Sequence, residues 1–69
     1  MAERRYHFSD WATVGTITYL GYVDDQDAWY IQEVDSDAGT SRYRFGNYDY
    51  STNWAARADL TYVVYSTEV

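Results

Sequence analysis

Cysteine, proline and lysine are all missing from this 69-residue chain. Without cysteine there are no disulfides, no thiolate zinc sites and no thiol nucleophile. A chain this short buries only about 60% of its unfolded surface, so its core must hold by packing alone. Without proline, and with no repeat or low-complexity stretch, nothing marks an internal boundary. Residues 1–69 read as one small β domain with an ordered core over about residues 4–67. Without lysine, five arginines face eleven acidic side chains, for a net charge of −6 and a pI near 4.3. Such a surface repels phosphates and argues against direct nucleic-acid binding. No apolar run approaches the roughly 20 residues of a membrane-spanning helix. Glu3, Arg4, Arg5, His7 and Asp10 stand where a signal peptide carries its apolar stretch. The expectation is a soluble, unexported protein with no membrane partner.

Aliphatic side chains are also few. Val, Ile and Leu number ten, whereas Tyr, Trp and Phe number fourteen, nine of them Tyr. Burial must therefore come mainly from rings, each able to cover about 150–250 Å². A buried phenol needs a partner for its hydroxyl, so nine of them cannot all lie inside so small a body. Some belong at the surface or in an interface, where Tyr and Trp supply large contact area at low rotamer cost.

The pattern of these residues is that of strands. Thr13–Val23 is rich in β-branched and aromatic residues and reads as a first strand, with Gly15 and Gly21 as places where a sheet can bend or another backbone approach. The polar turn Asp24–Asp27 leads to a second strand over Ala28–Val34, and the turn Asp35–Thr40 to a third over Ser41–Phe45, ended by Gly46 and Asn47. In the second strand Trp29 and Ile31 share one face while Tyr30 and Val34 share the other, which requires a bulge near Glu33 or two covered faces. Arg42 and Arg44 lie on one face of the third strand, with Glu33 nearly opposite Arg42 across a loop of residues 36–39.

Residues 47–60 break the alternation. Ser51 or Asp49 is placed to cap a helix over Thr52–Ala58, held by docking Trp54 onto the sheet, with Arg57 in its last turn to stack on a ring, pair with Asp59 or reach a neighbouring subunit. Leu60–Ser66 then resumes as a strand. The fold class is mainly β: a small curved antiparallel sheet or partial barrel of four strands, five if the segment around Arg5–Phe8 also pairs, with one short helix before the last strand.

Little in the chain points to catalysis. His7 is the single histidine, and no cysteine or lysine can join it as nucleophile or base. We therefore expect no enzyme and no cofactor. Asp35, Ser36, Asp37 and Gly39 resemble a fragment of a calcium loop, but the third oxygen ligand and the closing glutamate are missing, so no metal site is assigned. The acidic turns at Asp24–Asp27 and Asp35–Asp37 also cannot pool ligands, because eight strand steps separate them by about 27 Å.

The residues Arg42-Tyr43, Gly46, Tyr50, Trp54, Arg57-Ala58, Leu60 and Tyr62 form a spaced series. It is similar to the C-terminal half of short proteins encoded by tailed bacteriophages and prophages, which carry K-Y-x-x-G-x-x-x-F-x-x-x-W-x-x-R-A-x-L-x-Y. Trp29-Tyr30-Ile31 resembles their W-x-I strand, and the likeness covers roughly residues 28–62. Arg44-Phe45, where that group has small or acidic residues, and the tail after Tyr62 depart from it. The resemblance implies a virion structural or accessory protein, a coat-decoration, neck or tail component, found in the virion and in the host cytoplasm during assembly. Its partners would be other virion proteins or further copies of itself. The expected contact residues are Tyr30, Tyr43, Arg44, Phe45, Tyr48 and Tyr50, with Trp54 and Arg57 positioning the helix. Two other classes fit the residues. One is an acidic DNA mimic that inhibits a host defence nuclease through Asp24, Asp25, Asp27, Asp35 and Asp37. The other is a carbohydrate-binding module that stacks sugars on Trp11 and Tyr rings.

Overall fold

The computed structural model describes residues 6–64. Four strands, β1 (His7–Val14), β2 (Ile17–Val23), β3 (Ala28–Asp35) and β4 (Thr40–Asn47), form one antiparallel sheet in the order β1-β2-β3-β4. A six-residue helix α1 (Tyr50–Ala55) and a 3-10 turn (Arg57–Asp59) follow. The sheet is curved but unclosed, a small mainly β globule.

The run expected as one first strand is two. Gly15 takes φ +62° at the first position of a two-residue turn, a left-handed conformation that glycine adopts at no steric cost, and the chain reverses there. The β-branched residues on either side carried no hint of that reversal, since both halves have the same strand preference. The N-terminal pairing expected around Arg5–Phe8 is in fact a full strand from His7; Arg5 lies outside the described residues. After the 3-10 turn the chain makes one isolated bridge among the described residues, Tyr43 with Val63, with bonds of 2.7 and 3.0 Å. All four strands thus precede the helix. The end of the strand expected over Leu60–Ser66 lies outside the described residues.

Two acidic turns are held by their own first residues. Asp24 Oδ1 accepts from the backbone N–H groups of Gln26 and Ala28 at 2.8 and 2.9 Å, and Asp35 Oδ1 from those of Asp37 and Ala38 at 3.0 and 3.1 Å. This is the local bonding that makes Asp a turn former. The second turn places Glu33 directly opposite Arg42. The helix begins two residues before the expected Thr52 and ends at Ala55, short of Ala58: Asp49 precedes it in the left-handed region (φ 58°), and neither Asp49 nor Ser51 caps it with a side chain. What holds so short a helix is docking.

The core lies between the sheet and this helical segment. Trp29, Ile31, Tyr19 and Tyr62 are buried, Ile31 fully, with Ile17, Val23, Tyr50, Trp54 and Leu60 packed around them. β3 keeps its alternation through Val34 with no bulge. Instead Glu33 itself takes the inner position, where it pairs with Arg42. Glycine matters at two points of this layer: at Gly21 a Cβ would collide with the Tyr50 and Trp54 rings, and at Gly46 with the Trp29 indole.

Candidate contact surface

The other face of the sheet follows from the same alternation. It includes Phe8, Trp11 and Thr13 from β1, Thr18, Leu20 and Tyr22 from β2, Tyr30, Gln32 and Val34 from β3, and Ser41, Tyr43 and Phe45 from β4. No one of these twelve side chains is charged, in a chain where nearly a quarter of residues are. Among the described residues, no helix or strand lies over this face.

Its rings form a connected layer. Phe8 meets Tyr22 edge-on at 5.6 Å between centroids, Tyr22 stacks on Tyr30 at 4.6 Å, and Tyr30 approaches Phe45 at 5.0 Å. Tyr6 adds an edge contact to Tyr30 at 4.9 Å. These are the offset and edge geometries that aromatic pairs favour. Between the rings, Gln32 Nε2 donates to the Tyr43 hydroxyl at 3.3 Å, and the Thr13 and Thr18 hydroxyls bond at 3.1 Å. Packing pushes the Tyr30 phenol pKa up, first by burial and then by the neighbouring phenols. Toward β1 the layer opens to solvent, with Trp11 64% and Phe8 54% exposed. Covering such a face removes apolar area from water without dehydrating a charge.

The helix-covered face is chemically different. Glu33, 8% exposed, is bound by Arg42, whose own side chain reaches solvent. The Tyr19 phenol beside it has a raised pKa, mainly from burial and next from the Glu33 carboxylate. Arg57 donates to the Trp54 carbonyl at 2.9 Å, and its guanidinium lies 4.7 Å from the Trp54 ring and 5.8 Å from that of Tyr19. Within the chain, Arg57 stacks on rings rather than pairing with Asp59. Tyr62 donates to the Arg57 carbonyl at 2.8 Å, and Trp29 Nε1 to the Tyr48 carbonyl at 2.8 Å. No buried side-chain nitrogen or oxygen among the described residues lacks a partner.

The expected contact residues therefore divide between two sides. Tyr30, Tyr43 and Phe45 share the open face. Arg44 lies on the opposite face and is exposed, and Tyr48, 65% exposed, sits in the connection to α1. Tyr50 and Trp54 are half-buried against the core, and Arg57 is stacked as described. Sequence reasoning left out Phe8, Leu20 and Tyr22, and weighed Trp11 only as a sugar platform. The reversal at Gly15, which sets Leu20 and Tyr22 beside β1, and a bulge at Ser9, where the register slips between Phe8 and Asp10, explain the omission. The bulge brings Phe8 and Trp11, three positions apart, to one face, a spacing that strict alternation assigns to opposite faces.

The acidic residues make no comparable site. Two of them, Asp24 and Asp35, are occupied in turns at opposite ends of β3, and no three potential ligands gather around a common point among the described residues. His7 Nε2 lies 3.6 Å from Asp25 Oδ1, both well exposed. Comparison with protein-family models, with curated proteins and with solved structures returned no match to this chain. Its open sheet face is thus the feature on which a functional reading rests.

Proposed function

We propose that this chain is a protein-contact module of a bacteriophage particle, a coat-decoration, neck or tail component acting by non-covalent contact through its open sheet face. The observation that carries the contact role is the face itself: twelve neutral side chains, rich in rings, on a protein of net charge −6. Rings that are already packed against one another have lost much of their freedom, so little entropy remains to be lost on docking. The setting on a phage particle draws on the likeness of residues 28–62 to phage-encoded proteins. The site is a binding surface with no assigned chemistry.

Gln32 gives the sharpest test, because it stands at the centre of the face and Gln32→Glu changes charge with little change in shape. Purified particles of the encoding phage should contain the chain in stoichiometric amount. The Gln32→Glu chain, with its sheet retained by circular dichroism, should be lost from them, since docking would bury an unpaired carboxylate. Absence of the wild-type chain from particles overturns the virion reading. Full incorporation of the Gln32→Glu chain overturns the role of the face. Tight binding of a nuclease that collapses with added salt, or saturable quenching of Trp11 emission by oligosaccharides, would replace this function by inhibition or sugar binding.

A further inference from the structure

The two edges of the sheet are not alike. The outer edge of β4 is bridged by Val63, which exchanges two backbone bonds with Tyr43. The outer edge of β1 has no neighbour among the described residues. Beyond the Ser9 bulge, Asp10–Val14 runs in unbroken register with β2, so its outer side is regular. Its guards, the Ser9 bulge and the inward charge of Asp10, lie at its start; Trp11–Val14 carries no proline and no charge. Asp10 points to the covered face, where it accepts from Tyr50.

We propose that β1 pairs with β1 of a second copy of this chain, antiparallel about a two-fold axis at Ala12, to give a continuous eight-stranded sheet. The register follows from the hairpin. Val14 and Ile17 flank the two-residue turn and form its hydrogen-bonded pair, so alternation directs Ala12 and Asp10 toward β2 as well. The N–H and C=O groups of Trp11 and Thr13 therefore point outward. With Ala12 on the axis, Trp11 of each copy faces Thr13 of the other, which satisfies all four pairs of outward groups. Asp10 faces Val14, so no two like charges stand opposite. Open faces meet open faces, and the aromatic layer runs through both copies.

A second copy suits this edge better than a ladder of copies, because β4 is bridged at Tyr43 while β1 has no neighbour among the described residues: pairing through β1 alone closes at two. A five-residue strand pair lies at the small end of stable interfaces, so the dimer should depend on concentration. Both copies carry −6, so raising salt should strengthen it. The inference rests on the reading of the chain as a protein-contact module and names one of its partners, but it uses the edge where particle binding uses the face.

Sedimentation equilibrium of the full chain, with amide exchange, tests it. The wild type should approach twice its 8.1 kDa mass as concentration rises. The Trp11 and Thr13 amides should slow in parallel, while that of Ala12 stays slow throughout. Thr13→Pro removes an outward N–H and leaves the β2 ladder intact, and Trp11→Lys adds an edge charge at an exposed position. Each should weaken dimerisation at least tenfold, whereas Gln32→Glu should leave it unchanged. A chain that stays monomeric with rapid Trp11 and Thr13 exchange at every concentration overturns the proposal. So does a dimer that survives both edge variants, or one lost in Gln32→Glu alone. Particle binding by a monomer would still stand in the first of these cases.

Discussion

The Tyr50 hydroxyl donates to Asp10 Oδ2 at 2.9 Å, joining the start of the helix to the edge strand across forty positions of sequence. The ring that carries this hydroxyl passes directly over Gly21, the position in β2 that faces Asp10. A glycine in a strand interior costs stability by itself, yet here it makes room for the contact that ties the covering layer to the sheet. Two substitutions separate the parts of this arrangement.

Gly21→Ala should destabilise the fold by about 1–3 kcal/mol, as overpacking does, because the added methyl displaces both Tyr50 and Trp54. Tyr50→Phe keeps the ring and loses only the bond, and Asp10 retains the Ser9 hydroxyl at 2.8 Å, so about 1 kcal/mol is expected. Urea midpoints should rank Gly21→Ala below Tyr50→Phe. The reverse order would mean that the ring is not wedged against the strand.

The Glu33–Arg42 pair should respond unequally to removal of its two ends. Arg42→Met leaves a carboxylate in a position 8% exposed, whereas Glu33→Gln leaves a guanidinium free to turn toward water. A loss of about 2–4 kcal/mol is expected for Arg42→Met and about 1 kcal/mol for Glu33→Gln. Equal losses in thermal unfolding would show the pair acting as an exposed one.

Alkaline pH should unfold this protein through its phenols. Burial raises the pKa values of Tyr50 and Tyr62 well above the ordinary 10.0, with the Asp10 bond next for Tyr50 and the Tyr19 phenol next for Tyr62. Since the unfolded chain loses these protons first, their stabilisation is complete below about pH 9 and declines as pH rises past about 10 toward the folded values. Urea midpoints should be level to about pH 9 and fall beyond it, together with a late phenolate signal. Tyr50→Phe should flatten that fall; an unchanged slope would place Tyr50 outside the effect.

The amino-acid sequence determined a good deal of this molecule because strand preference and turn chemistry are local. The segments around β3 and β4, the turn of residues 36–39 and the opposition of Glu33 and Arg42 follow from residues close together in the chain, and a helix too short to stand alone required the docking of Trp54. The excess of rings over aliphatic residues also implied that some would lie at a surface, and Trp11, Phe8, Phe45 and Tyr48 do. Only the tertiary structure decided which rings share a face. That depended on a reversal at Gly15 within a run of uniform β character, and on a one-residue bulge at Ser9 that moves Phe8 beside Tyr22. Both are changes of backbone geometry that leave composition untouched. A period-two reading inverts at each, so the aromatic face and the open edge of β1 came from long-range pairing, which no local pattern encodes.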